Sequence, residues 1–244
     1  MKIHKKKKLL ITSGCSFSET TTQMQSWPIH LSRHFQNFGL ISKGMASQGN
    51  GMIARSIIYE VSKALEDTLP KNIIVGVEWS GADRHEVWVD NPTGQQYNNK
   101  DGWIQNPIGF IDGTKNWEIL NHHWTTTRSK IFYRSFYTEI GKLIDTMENI
   151  LRVQWFLEKH NIKYFMTRMC DWKDSFAENH AEIGYLLKLI DKTKFLPIIG
   201  MYEWAKDESG LSLGPDNYHP TVAQHIMFTK EIILPFLKKT YDLS

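Results

Sequence analysis

The chain reads as one α/β domain, a three-layer α/β/α sandwich around a mostly parallel, five-stranded sheet. Two observations carry that reading. Short apolar runs alternate with stretches of helical periodicity along the 244 residues, which is the pattern of an α/β chain. The segments between the runs are long enough to return each strand parallel to the one before. At this length one domain is expected, because a single α/β core serves about 250 residues before a chain splits.

The elements follow in order. Lys8 to Ser13 is a short buried strand that Gly14 ends. Trp27 to Phe38 is a helix, with Pro28 suited to its first turn and Ile29, Leu31, Phe35 and Phe38 along one face. Leu40 to Met45 is a second strand. Asn50 to Asp67 is a helix with Ile53, Ile57, Ile58, Val61 and Leu65 at spacings of three and four. Ile73 to Val77 is the clearest strand, an apolar run of the kind buried on both faces of a parallel sheet. Between about 83 and 130 the periodicity fails in a stretch rich in Asn, Gly, Trp and Thr, broken by Pro92 and Pro107. So long a stretch inside one domain is expected to be an insertion with short strands or turns. A single long helix then runs from Tyr133 to His160. Lys163 to Thr167 is a fourth strand, Ala181 to Asp191 a helix, Phe195 to Gly200 a fifth strand and Val222 to Lys238 the closing helix.

Composition removes several function classes. The net charge is +3, but five of the 29 basic side chains (Lys2, Lys5, Lys6, Lys7 and Lys8) stand in the first eight residues. The remaining 24 face 26 acidic ones, so the body carries no basic face for nucleic acid. No apolar run approaches the ~18 residues of a membrane span, so no membrane partner is expected. Cys15 and Cys170 are too few for a disulfide framework and form no CxxC pair. Lysines followed by Leu9-Leu10-Ile11 mimic an export signal, but three apolar residues fall short of the ~7–15 of a secretory core. The expected location is cytoplasmic.

Parallel sheets present functional groups at the carboxyl ends of their strands. Gly14-Cys15-Ser16-Phe17-Ser18, Ser47-Gln48-Gly49-Asn50-Gly51 and Glu78-Trp79-Ser80 follow the first three strands, and Asp216-Asn217-Tyr218-His219-Pro220 precedes the last helix. A serine hydroxyl is a poor nucleophile until a base takes its proton, and imidazole has a pKa suited to that task. A carboxylate that fixes the imidazole tautomer improves the base. Ser16, His219 and Asp216 supply these three groups, and the backbone N–H groups of Ser16 and Gly49 are candidates to bind an oxyanion.

In the order of these blocks the sequence resembles the SGNH, or GDSL-type, family of esterases and lipases. Gly14-Cys15-Ser16-Phe17-Ser18 is similar to the first block, Ser47-Gln48-Gly49-Asn50-Gly51 to the second and Asp216-Asn217-Tyr218-His219-Pro220 to the last. The resemblance implies a flavodoxin-like sheet, Ser16 as nucleophile, His219 as general base, Asp216 as its orienter and Gly49 as an oxyanion donor. It implies no metal and no organic cofactor. The chain departs from the family at two places. Gly76-Val77-Glu78-Trp79-Ser80 stands where the third block has Gly-x-Asn-Asp, so Asn50 or Ser80 is left to replace the missing asparagine. Cys15 stands where the first block has an aspartate, and is expected to be a small buried filler.

Glu78, Arg84, His85 and Glu86 cluster after the third strand. They read as a solvated loop or a structural ion pair, or else Arg84 holds a substrate anion through its planar fork. His85-Glu86 lacks the second histidine of a zinc-protease motif, since Val89 stands there. His122 and His123 are adjacent and point apart. Trp88, Trp103, Trp117 and Trp124 crowd the insertion, either packing it onto the sheet or forming a wall for a sugar. Trp79, Arg84, Trp103 and Trp124 are the candidates for substrate contact. The leading expectation is a serine hydrolase acting on a small ester, such as a carbohydrate O-acetyl group. The rivals are an acyltransferase with the same triad and a non-catalytic protein that binds a glycan or nucleotide.

Overall fold

Alternate residues of each central strand face opposite helix layers, and this alternation organises the molecule. The computed structural model describes residues 8–21, 25–90, 116–122, 127–172 and 180–243. In chain order the strands are β1 (Lys8–Ser13), β2 (Phe38–Ser42), β3 (Ile73–Trp79), β4 (His85–Trp88), β5 (Trp117–Leu120) and β6 (Lys163–Arg168). The helices are α1 (Trp27–His34), α2 (Asn50–Ala64), α3 (Thr127–Ser135), α4 (Glu139–Lys159), α5 (Ala181–Leu189), α6 (Met201–Glu203), α7 (Val222–Met227) and α8 (Leu234–Tyr241).

The main sheet runs β2-β1-β3-β6 and every pairing in it is parallel. Leu9, Ile11, Ile73, Val75, Val77, Tyr164 and Met166 pack into one apolar cluster with Ile53, Ile57 and Val61 of α2, Leu143 and Met147 of α4 and Ile183 of α5. Leu10, Ile74 and Phe165 enter the other with Trp27 and Leu31 of α1, Trp204, Phe228 and Leu237. The period of two in a strand buried on both faces therefore builds the three layers. Each such side chain gains roughly 1.5–3 kcal/mol on burial. Gly76 is required at the centre, because a Cβ there would lie 2.7 Å from Phe165 Cζ and 2.8 Å from Trp27 Cη2.

The first helix ends at His34, short of the expected Phe38, which instead opens β2, and three further elements differ from the sequence reading. The fifth strand is reduced to one parallel bridge, Met166 opposite Phe195. Leu196 N donates to Met166 O at 2.8 Å, but Pro197 has no N–H to offer and Ile198 N turns back to Leu196 O. The expected helix from Tyr133 to His160 is two helices, because Thr138 is extended and its side chain accepts from Gly141 N, capping α4. The closing helix spans α7 and α8 through a π-helical stretch, Phe228–Ile233, just ahead of Pro235. There a proline cannot donate to the preceding turn.

β4 and β5 form a separate antiparallel pair, His85 opposite Leu120 and Trp88 opposite Trp117. This pair is tied to α2 by the Arg55 guanidinium, 4.0 Å from the Trp117 ring centre. Among the described residues, no helix is long and apolar enough to cross a membrane. The strand order reverses direction at β1, with β2 on one side and β3 on the other. A crevice therefore opens at the carboxyl ends of β1 and β3, the usual ligand position in such sheets.

Candidate active site

Glycine lets the first loop fold tightly against β3. A Cβ on Gly14 would fall 2.5 Å from Ser18 Oγ and 2.9 Å from Glu78 Cβ. Beyond it Ser16–Ser18 make a 3-10 turn, closed by Ser18 N to Cys15 O at 3.0 Å and Glu19 N to Ser16 O at 3.3 Å. The Ser16 N–H takes no part in those turn bonds.

The second loop builds itself. Asp216 Oδ1 accepts from the N–H groups of Tyr218 (3.0 Å) and His219 (2.9 Å), while Asn217 adopts φ 55°, a left-handed conformation that asparagine tolerates. Gly214 N donates to His219 O at 2.8 Å and closes the turn before Pro220.

The two loops meet. His219 Nε2 lies 2.8 Å from Ser16 Oγ, joining residues 203 positions apart, and His219 Nδ1 is hydrogen-bonded to Asp216 Oδ2. With Nδ1–H donating to the carboxylate, Nε2 presents its lone pair to the Ser16 hydroxyl. Ser16 is 8% exposed and the His219 side chain 30%, so the hydroxyl is reachable but not solvated. The Phe17 ring packs 5.1 Å from the imidazole. Partial burial pushes the Asp216 carboxyl up, but the His219 side-chain bond and the two backbone N–H groups outweigh it and hold the pKa at about 2.

Of the residues expected to bind an oxyanion, Gly49 and Asn50 are engaged elsewhere. Gly49 N donates to Glu86 Oε1 at 2.5 Å, and Met52 N donates to Glu86 Oε2 at 3.2 Å. Glu86 thus caps the first turn of α2, where its charge also meets the helix dipole, and the Gly49 N–H is not free. Asn50 is fully bonded as well. Its Oδ1 accepts from Ser80 N (2.8 Å), and its Nδ2 donates to Thr146 Oγ1 (3.0 Å) and Ser80 O (3.3 Å). Ser80 is completely buried, and its Oγ accepts from Arg84 Nη1 at 2.8 Å.

The substrate candidates divide. Trp79 is wholly buried, with its Nε1 3.3 Å from Met166 Sδ, so it belongs to the core and touches no substrate. A strand buried on both faces leaves such a side chain no route to solvent. Arg84 is half-buried against the site. Burial alone would lower its pKa, but the neighbouring Cys15 thiol, Tyr218 phenol and Asp83 carboxylate raise it, so its charge is secure. Trp103 and Trp124 lie outside the described residues. Among the described residues, no three His, Cys, Asp or Glu side chains are placed to share a metal ion.

The cluster after the third strand, read as a solvated loop or a structural ion pair, holds two interior carboxylates, and Glu86 is paired with Arg55 at 3.9 Å. Glu86 is 4% exposed, and Glu78 has no exposure at all. Ser18 donates a short hydrogen bond to Glu78 Oε2, Cys15 Sγ lies 3.8 Å from the same oxygen, and Oε1 has no partner. Burial, opposed by the Ser18 bond and the Arg84 charge, pushes the Glu78 pKa up to about 7. Cys15 is buried as expected, and burial beside Glu78 pushes its thiol up to about 12, which keeps it protonated. The signal for Glu78 was available: it continues a strand whose neighbours face the core on both sides.

Beside Arg84 a polar cavity of about 340 Å³ opens between α2, α4 and the start of β4, lined by Asn50, Arg55, Glu86, Lys142 and Arg152 among others. His85 lies 3.0 Å from Lys142 Nζ there, and burial together with that charge pushes its pKa down to about 4.

A family of unknown function, DUF6071, matches residues 16–239 of the chain. No curated protein matches it. Among solved structures it is similar to a member of the lipolytic G-D-S-L protein family from Veillonella parvula, at 6% identity and a TM-score of 0.46, covering 97% of this chain and 100% of the other. It is similar to TesA at 10% identity and a TM-score of 0.48, covering 95% and 99%. A GDSL-like lipase from Bacteroides thetaiotaomicron shares 12% identity at a TM-score of 0.43, covering 95% and 88%.

Proposed function

The chain belongs to the DUF6071 family, and we propose for it a serine-nucleophile hydrolase that cleaves small esters. One observation carries the reading. Asp216, His219 and Ser16 form a continuous hydrogen-bonded run, assembled from opposite ends of the chain at the crevice where ligands bind this kind of sheet. A structural pair would not need a serine 203 residues away held at 2.8 Å from Nε2.

In this mechanism Ser16 Oγ attacks the acyl carbonyl carbon as its proton passes to His219 Nε2, and the carbonyl π pair moves onto oxygen. The tetrahedral intermediate collapses, the C–O bond to the leaving alcohol breaks, and His219 returns the proton to that oxygen. Water, deprotonated by His219, then releases the acyl group and restores Ser16. Asp216, ionised down to about pH 2, holds the imidazole tautomer through both halves.

Polar surroundings favour a carbohydrate O-acetyl ester over a long acyl chain. The neighbouring cavity is lined by charged and amide side chains. Trp88 is half exposed on β4, edge-on to Trp117 at 5.5 Å, a surface on which a sugar ring can stack. Purified protein is expected to hydrolyse p-nitrophenyl acetate and to be labelled by a fluorophosphonate, with Ser16→Ala abolishing both. Turnover that survives Ser16→Ala overturns the reading.

A further inference from the structure

A hydrolase of this kind needs donors for the oxyanion, and two of the residues that the sequence offers for that task are spent. The Gly49 N–H is bound by Glu86, and the Asn50 amide is consumed by Ser80 and Thr146. The Ser16 N–H is left as the one backbone donor among these candidates, beside the wholly buried Ser80 hydroxyl, whereas acyl transfer is ordinarily served by two or more well-placed donors.

We propose that the Arg84 guanidinium is the oxyanion-binding group of this site, taking the place of the Gly49 N–H and of the absent third-block asparagine. The inference rests on the triad reading above. Strand register places the group. Ser13 of β1 is paired with Val77 of β3, so Ser16 and Ser80 each stand three residues beyond paired positions at neighbouring strand ends. Arg84 Nη1 is 2.8 Å from Ser80 Oγ, which brings the guanidinium to the β3 side of the crevice. The contact of Cys15 Sγ with Glu78 Oε2 spans the same gap between the two strands. The Tyr218 ring packs against both Phe17 (5.6 Å) and His219 (5.2 Å), so the three rings form one cluster beside the imidazole. Arg84 also interacts with the Cys15 thiol, the residue before Ser16, and with the Tyr218 phenol, the residue before His219.

The charge itself calls for an anion. Among the described residues Arg84 makes no ion pair within 4 Å: its polar partners are the neutral Ser80 hydroxyl at 2.8 Å and the Cys15 thiol, and the Asp83 and Glu78 carboxylates that feel its charge stand beyond ion-pair distance. A guanidinium carries five N–H donors in a planar fork and is costly to withdraw from water without a counter-charge. An oxyanion that exists only during turnover supplies that charge at the moment it is needed. Binding that is stronger in the transition state than in the ground state is what accelerates a reaction.

The test uses the full-length protein and p-nitrophenyl acetate, a neutral ester that gives a substrate-anion clamp nothing to hold. Arg84→Gln is expected to lower kcat by about 10²–10³-fold with KM changed less than about threefold. Arg84→Lys, which keeps the charge and loses the fork, should fall between this variant and the parent. Alkylguanidinium salts added to Arg84→Ala should restore part of the lost turnover, which a merely structural role would not allow. If Arg84→Lys is folded by circular dichroism and has the parental kcat, and guanidinium restores nothing to Arg84→Ala, the inference is overturned. A rise confined to KM overturns it equally, in favour of substrate anchoring. The triad reading fails separately: Ser16→Ala with undiminished turnover removes it whatever the Arg84 variants do.

Discussion

The turn from Asp216 to Pro220 and the strand exit from Glu78 to Glu86 meet at the same site and are held in opposite ways. The turn is exposed and made by its own residues. Asp216 is half exposed, and every bond that shapes the turn closes within five residues. The strand exit is interior and made by others. Glu78 is held by Ser18, Ser80 by Asn50, and Glu86 by Gly49 and Met52, at separations of 30 to 60 residues. In the proposed mechanism the general base is therefore a local device, while the proposed oxyanion side is part of the core. Substitutions in the first region should change chemistry and spare stability, and those in the second should do the reverse.

The largest effect tests the local half. In Asp216→Asn the amide oxygen can still accept from the Tyr218 and His219 N–H groups, so the turn keeps its shape. The other amide atom is a donor, and it forces His219 Nδ1 to accept, leaving Nε2 protonated toward Ser16. That is the wrong tautomer for a general base, and kcat is expected to fall about 10³–10⁴-fold. Thermal or urea unfolding should move by less than about 1 kcal/mol. A variant that loses several kcal/mol would show that the turn is not self-contained, and the contrast between the two regions would collapse.

The same contrast explains what could be read from the sequence. The convergence of Asp216, His219 and Ser16 was legible because Asp-x-x-His-Pro is a turn that specifies itself, and because a serine after a glycine-ended strand has a fixed place in a parallel sheet. The layer order was legible from the apolar runs of β1, β3 and β6. Gly49 and Asn50 were misread as free donors because nothing near them in sequence reveals Glu86, Ser80 or Thr146, which reach them only through the folded core. Trp79 was misread as a substrate contact because the strand, read as ending at Val77, runs on through Trp79 with both faces buried. Two errors were avoidable from local chemistry alone. Pro197 denies the fifth strand its ladder, and Thr138 followed by Glu139 marks the start of α4.

The second prediction probes the buried half through pH. Unfolded, Glu78 releases its proton near its ordinary value of 4.5; folded, it holds it to about 7. Between these values the folded state binds the extra proton, so stability declines as pH rises through the interval, and the loss is complete above about pH 7. The interval corresponds to something on the order of 3 kcal/mol. Glu78→Gln keeps an acceptor for Ser18 without a titrating charge. It should match the parent near pH 4.5 and exceed it in stability above pH 7 by a sizeable part of that amount, measured as urea midpoints across the range. A Gln variant that tracks the parent at every pH would mean that the interior carboxylate is solvated after all.

The smallest effect lies where the turn hands over to the core. Thr221 caps α7 in a reciprocal box: its Oγ1 accepts from Gln224 N, and the Gln224 side chain accepts from Thr221 N. Gln224 is wholly buried and also donates to Ala205 O at 2.6 Å and Ser209 Oγ at 2.9 Å. Thr221→Ala removes the capping oxygen and leaves the Gln224 anchors in place, so the cost should be about 1 kcal/mol of stability. Because the bonds that aim His219 all lie before Pro220, kcat should change by less than about twofold, within the roughly 0.4 kcal/mol such a ratio represents. A loss of kcat much larger than the loss of stability would mean that the imidazole is aimed by the helix rather than by its own turn, and Asp216 would then share with Thr221 the task of holding the base.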